Sequence, residues 1–251
     1  MIITVLNHSK EVSTTDLRAA IRAINRQIAR DFEPFWDLGA TLKLGKTAGK
    51  RPAGWSGDAV VHLLENIPKA DAGVGVSFHD ATATGLPYGF VFTRMIEEVE
   101  ANLAWVTWPA MLSHEVLELI ADQQLNLLVK GPHPDHPSRD VFHFREVCDP
   151  VQSQTYEVLG VKVSYFVLPH YYNAEGVEGG RNNFLYTGLK AFRWSDGGTI
   201  GFWDPRQGAR GSYVTRPSYP KGHPARTVRE RKGRVSRAHR YTKRPPRGAS
   251  R

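Results

Sequence analysis

Charge is so unevenly placed along these 251 residues that only the first 220 or so can supply a folded body. The last 31, KGHPARTVRERKGRVSRAHRYTKRPPRGASR, carry 12 of the 33 Lys and Arg and a single acid, Glu230, which leaves 21 basic against 24 acidic side chains before them. The body is therefore near −3 and the tail near +11, although the whole chain is +8. With almost no large apolar side chain, the tail cannot offset its ordering entropy by packing and is expected to be disordered on its own. Its spaced cations, Arg229, Arg231, Lys232, Arg234, Arg237, Arg240, Lys243 and Arg244, suit phosphate neutralisation with counterion release. A solubilising tail, or one lying on an acidic protein partner, fits the same residues, because a charge run is a weak motif.

The body is large enough for one substantial core at 41% hydrophobic content. No run approaches the ~18 apolar residues of a membrane span, and MIITVLNHSK lacks the basic and apolar regions of a signal peptide. A soluble protein without a membrane partner is expected. The single cysteine, Cys148, excludes an internal disulfide framework and a multi-cysteine zinc site, and fits a reducing compartment.

Periodicity predicts an α+β fold. Ile2 to Leu6 reads as a buried strand. STTDLRAAIRAINRQIARDF opens with cap residues and spaces Leu17, Ile21, Ile24 and Ile28 as one face of a long amphipathic helix. A short strand running into a Gly/Lys-rich loop follows, then the valine-rich runs AVVHLLENI and GVGVSFHD as two further strands. This β-α-β-β order implies a mixed sheet with helices packed on it. GLPYGFVFT reads as a turn entering a strand and RMIEEVEANLAW as a helix. Pro109 then sits where a helix begins, since its missing N–H would be unpaired there anyway. GPHPDHPSRD is expected to be loop, because three prolines defeat both ladders. VFHFREV, QTYEVLG and VKVSYFVL follow as strands.

The helix after Pro109 contains LSHEVLELIAD. Met111, Leu112, Val116, Leu117, Leu119 and Ile120 spread its apolar surface widely enough to bury it, and buried carboxylates need partners. His114 and Glu118, four apart, share one face and can hold one ion. Glu115 lies about 100° round the helix, the offset at which the glutamate of His-Glu-x-x-His hydrolases takes a proton from metal-bound water. Glutamate replaces the second histidine here, a set still acceptable to zinc but shifted toward calcium or manganese. Asp122, displaced by about 12 Å along the axis from His114, is expected to cap the helix, orient a ligand or belong to a second site. The competing reading is an acidic, solvated helix face.

Further polar groups stand at strand ends: Glu146 and Asp149 around Cys148 in FHFREVCDPV, and His79 with Asp80 after GVGVSF. A strand terminus before Pro150 would explain the first pair equally well. His133, His136 and His143 are additional histidine candidates, and Tyr156, Tyr171, Tyr172 and His170 are candidates to steady an oxyanion.

The succession SFHDATATGLPYGFVF, LSHEVLELIADQQLNL and REVCDPVQSQTYEVLGVKVSYFVLP resembles a group of bacterial and phage-associated zincin-like proteins. Their pattern is a His-Asp strand end, a Gly-x-Pro-x-Gly turn, a His-Glu-x-x-Glu-x-x-x-Asp helix and a later Glu-x-x-Asp strand end. The likeness spans roughly residues 70 to 170. The chain departs from it at Gln123, where the family helix commonly closes with proline, and at Tyr165, where an acidic residue is frequent. The resemblance implies a zincin-like metallopeptidase-type core over 1–170, a mixed sheet with a long N-terminal helix and a motif-bearing helix. Residues 171–220 would then be a Gly- and aromatic-rich extension packed on it and 221–251 the basic tail. It further implies His114, Glu118, Glu146 and Asp149 as metal ligands, Glu115 as general base, and Asp122, His79 and Asp80 in support.

Two functions follow. One is a metal-dependent hydrolase, a zinc peptidase acting on a peptide substrate in the cytoplasm. The other is a non-catalytic phage virion or assembly protein that keeps the scaffold among viral structural proteins and grips nucleic acid with its tail. For the tail itself, a chain ending at residue 220 is expected to lose salt-sensitive DNA and RNA binding in a filter or anisotropy assay. Equal binding by full-length and shortened protein would refute the phosphate reading.

Overall fold

The computed structural model describes residues 1–48, 51–52, 56–66, 76–82, 84–100, 103–104, 106–173, 180–207 and 211–215. The basic tail, with its eight candidate phosphate-binding side chains, lies outside the described residues. The fold is α+β, as the periodicity implied, and its described residues fall into two compact units. The first comprises Met1–Gln124 with Thr155–Ser164; the second comprises Leu125–Gln154 and the described residues from Tyr165 onward. No helix among the described residues is long and apolar enough to cross a membrane.

The first unit begins with β1 (Ile2–Asn7), whose interior residues are all buried, as suits a β-branched run flanked by strands on both sides. Helix α1 (Thr14–Gln27) starts where the sequence marks it: Ser13 Oγ accepts the Asp16 N–H and buries Leu17, Ile21 and Ile24 beyond it. The helix continues through a π-turn (Ile28–Phe32) into α2 (Glu33–Trp36). Next come β2 (Thr41–Leu44), the two-residue strands β3 (Thr47–Ala48) and β4 (Arg51–Pro52), β5 (Ala59–Leu64), β6 (Ser77–Ala81) and β7 (Pro87–Phe92). The main sheet has the order β2-β1-β5-β7-β6, parallel throughout except for β6, which returns antiparallel on β7 at the edge. That return is a tight one, with Thr82 N–H on Leu86 O at 2.8 Å. Leu6, Val60, Tyr88, Phe90 and Phe92 form an apolar cluster on this sheet, with Phe78 and Met95 against it.

Helices α3 (Thr93–Glu100) and α4 (Trp108–Ala121) follow. Thr107 caps α4, Pro109 sits in its first turn, and every residue from Ala110 to Ala121 is buried. Its apolar residues spread round the helix, as suits an enclosed one, with Ser113, His114, Glu115 and Glu118 as buried polar members. It packs on β6 and β7 and on the hairpin of β10 (Thr155–Val158) and β11 (Val161–Ser164), which also meets α1.

The second unit is built on an antiparallel sheet of order β13-β12-β9-β8, comprising β8 (Leu128–Pro132), β9 (Asp140–Phe144), β12 (Thr199–Trp203) and β13 (Gly211–Thr215). Here one expectation is corrected. Gly131 and Pro132 belong to the ladder, opposite Val141 and Asp140, and only 133–139 is loop. A proline is tolerated because β8 is an edge strand and Pro132 is its last residue. Gly131 is needed for a different reason: a Cβ there would overlap the Phe192 ring.

Two predictions follow from this frame. The β10–β11 turn places Leu159 at φ 51° and Gly160 at φ 75°, and Leu159 is 70% exposed. Such two-residue turns favour Asn-Gly, so Leu159→Asn should raise stability by about 0.5–1 kcal/mol in chemical denaturation. The second concerns His62, buried in β5, stacked on Phe90 at 5.0 Å and 3.0 Å from His8. Burial, and then the neighbouring charge of His8, push its pKa down to about 4. The unfolded chain, titrating near 6.5, therefore takes up the proton first as pH falls. This contribution is complete above pH ~6.5, drains away between there and about 4, and is on the order of 3 kcal/mol. The wild type should accordingly lose more stability than His62→Leu between pH 7 and 4.5; parallel pH curves would contradict this.

Candidate metal centre

Strand parity aims His79 at helix α4. Along β6, Phe78 joins the aromatic cluster with Tyr88, Phe90 and Phe92, so the next side chain, His79, projects from the opposite face of the sheet. Its cross-strand neighbour is Gly89, which puts no side chain beside it. Glu115 and Glu118, three apart on α4, come to meet it: His79 Nδ1 is 3.0 Å from Glu115 Oε2 and 3.5 Å from Glu118 Oε2. His114 joins from the same helix, its Nε2 3.3 Å from Glu118 Oε2 in an i,i+4 pair. Glu118 is thus the pivot, touched by an imidazole from the strand and another from its own helix.

All four side chains are enclosed: His79 4%, Glu115 3%, Glu118 3% and His114 6% exposed. Two carboxylates this deep require positive charge nearby, since an ionised group out of water without a partner is destabilised by several kcal/mol. Protonated, His79 Nδ1–H donates to Glu115; deprotonated, the same nitrogen offers a lone pair toward both carboxylates. The donor atoms of His79, Glu115 and Glu118 lie within 4.8 Å of one another. Bonds of ~2.1 Å to a tetrahedral ion would separate neighbouring donors by about 3.4 Å, close to the distances seen. This is a buried His/Glu group able to hold a metal ion.

Asp80 points away from His79 by strand alternation and its Oδ1 accepts the Ala81 N–H at 2.8 Å. Asp122 is the buried C-cap of α4, its N–H on Glu118 O, in keeping with its distance along the axis. Glu146 and Asp149 belong to the second unit, where they line a small cavity with His143, Tyr171 and Tyr172. Tyr172 donates its hydroxyl hydrogen to the Glu146 backbone oxygen at 3.0 Å, and Tyr171 is buried, which raises its pKa well above the usual phenol value. Tyr165, at the position where the resemblance favours an acid, is buried and accepts the Leu185 N–H at 2.7 Å.

The additional histidines serve the β8–β9 hairpin. His143 Nε2 donates to Pro132 O at 2.9 Å, and burial pushes its pKa down to about 4. His133 Nδ1 accepts the N–H groups of Asp135 and His136, at 3.0 and 3.2 Å. Tyr156, an oxyanion candidate on sequence grounds, is bonded to Gln27 and Asp31, and burial raises its pKa. Sequence reading gave His79 only a supporting part and passed over Gln27 and Ser113 altogether. For His79 the signal was present, in the alternation of SFHDA. No family model matches this chain, and neither does any curated protein or solved structure compared with it.

Proposed function

We propose that the chain is a metal-dependent hydrolase with a zincin-like core, specifically a zinc peptidase whose centre is His79, His114, Glu115 and Glu118. One observation carries the reading: a sheet edge strand and a single helix bring two imidazoles and two carboxylates together in a buried place. His114 and Glu118 are the ligands in this proposal, with His79 in support at Glu118 Oε2. An imidazole donor favours zinc over calcium, with manganese the nearer competitor. A bound divalent ion would acidify water and polarise a scissile carbonyl. Glu115, about 100° round the helix from His114, is the group placed to accept a proton. The proposal is built on the first unit's residues alone.

A second reading is favoured by the closure of the same four side chains. Structural metal sites are closed, whereas catalytic ones keep a coordination position open. A virion or assembly protein with a zincin-like scaffold, a structural ion and a nucleic-acid-binding tail would fit that closure.

Metal analysis of protein purified without added metal and dialysed separates these readings when combined with peptide turnover. The wild type is expected to hold about one zinc per chain, Glu118→Ala essentially none, and Glu115→Gln to keep its zinc while losing turnover by at least ~100-fold. Loss of zinc in Glu115→Gln would make Glu115 a ligand instead of a base. Zinc without turnover in any protein supports the scaffold, and no ion in the wild type refutes the metal centre.

A further inference from the structure

A chain of buried hydrogen bonds leads from the surface of the first unit to the residue just ahead of His114. Arg30 pairs with Asp31 at 2.5 and 2.6 Å, and Asp31 Oδ2 accepts the Tyr156 hydroxyl at 3.0 Å. The Tyr156 oxygen accepts from Gln27 Nε2 at 3.1 Å, and the same amide donates to Ser164 O at 2.8 Å. Gln27 Oε1 accepts from Ser113 Oγ at 2.6 Å, and Ser113 Oγ accepts the Ser164 N–H at 3.1 Å. Donor and acceptor directions agree at every step, and the Gln27 amide uses both hydrogens and its oxygen. Gln27 and Ser113 are fully buried, and Ser164 and Asp31 nearly so. Gln27 and Asp31 lie at the end of α1 and inside the π-turn, a local departure from α-helix that recurs at functional sites.

We infer that Gln27 and Ser113 are positioning residues that set the rotation of α4, and through it the reach of Glu115 and Glu118 to His79. The need arises from the helix itself. Beside its apolar contacts the helix buries Ser113, His114, Glu115 and Glu118, and hydrogen bonds fix orientation more narrowly than apolar contact does. A turn of about 20° moves a side-chain tip ~6 Å from the axis by roughly 2 Å, enough to undo a 3.0 Å contact. Ser113 supplies the direction that the apolar contacts lack. Its hydroxyl meets both the Ser164 N–H and the Gln27 amide in only one orientation of the helix, and any other leaves buried polar atoms without partners. Since Ser113 is rigidly joined to His114, Glu115 and Glu118 by the helical backbone, fixing it fixes them.

The inference rests on the metal reading for its functional meaning, so its test has one readout that needs metal and one that does not. Ser113→Ala and Gln27→Met would be compared with the wild type and with Ile3→Val, which lowers stability in the core of β1 without touching the network. Zinc affinity of the folded proteins is measured by chelator competition, and the His79 ring environment by ¹⁵N chemical shifts in metal-free protein. Ser113→Ala and Gln27→Met are expected to weaken zinc binding ~10–100-fold, as removal of outer hydrogen-bond partners does at metal sites, and to shift the His79 ring signals. Ile3→Val should do neither. Tyr156→Phe, acting two bonds away, should show a smaller effect of the same kind.

Wild-type affinity and unmoved His79 signals in both network variants would overturn the positioning role, leaving an ordinary buried network. If the wild type binds no zinc, the metal reading falls, and the His79 signals alone decide whether the network sets the helix. If a network variant does not fold, Tyr156→Phe carries the comparison.

Discussion

Two carboxylates buried three residues apart on one helix are the constraint around which the first unit is arranged. Glu115 and Glu118 cannot sit at 3% exposure as unpaired anions. The sequence of α4 supplies only half of what they need, in His114. The other imidazole comes from β6, which must run antiparallel to β7 at the sheet edge and in the register that sets His79 opposite Gly89. A shift of one residue would turn His79 into the aromatic cluster and Phe78 toward the carboxylates. Register in this strand is therefore enforced twice, by Phe78 among aromatic rings on one face and by charge compensation on the other.

That double enforcement explains which parts of the structure were legible in the sequence. The strands β1, β5 and β7 and the helices α1 and α4 are local statements, written in β-branched runs, in Ser13 as a cap and in Pro109 in a first turn. His114, Glu115 and Glu118 could be named because helical spacing alone puts them together. Membership of His79 in the cluster required knowing which face of β6 meets the helix, a tertiary fact hinted at only by Phe78. The Gln27–Ser113–Ser164 contacts join residues 51 to 137 positions apart, and nothing in an isolated glutamine or serine within an apolar run announces a partner at that distance. Pro132 was misread for the opposite reason: a strong local rule against proline in ladders yields at the end of an edge strand.

The second unit uses polar groups to shape backbone. Its histidines were attractive as ligands on sequence, yet His133 accepts two backbone N–H groups within its loop and His143 holds the carbonyl of Pro132. An imidazole nitrogen occupied in this way has its tautomer assigned by the fold: His133 must keep Nδ1 unprotonated, while His143 keeps its proton on Nε2. Both have pKa values lowered by burial, so both roles persist at neutral pH. Residue type alone could not separate these histidines from His79 and His114. What separates them is the partner, backbone in one case and carboxylate in the other.

The difference in partner also bears on what α4 can do. Around His133 and His143 these hydrogen bonds are to backbone groups that never titrate. Glu118 Oε2 faces two imidazoles, groups that are charged or neutral according to pH and that can yield a proton to a metal ion. Such a cluster could exchange an imidazolium–carboxylate form for a metal-bound one if an ion were taken up. The neutral Gln27–Ser113 bonds beneath it are indifferent to that exchange. They can hold α4 at one rotation while the charge above them changes, which is what the proposed metal centre would need from its support.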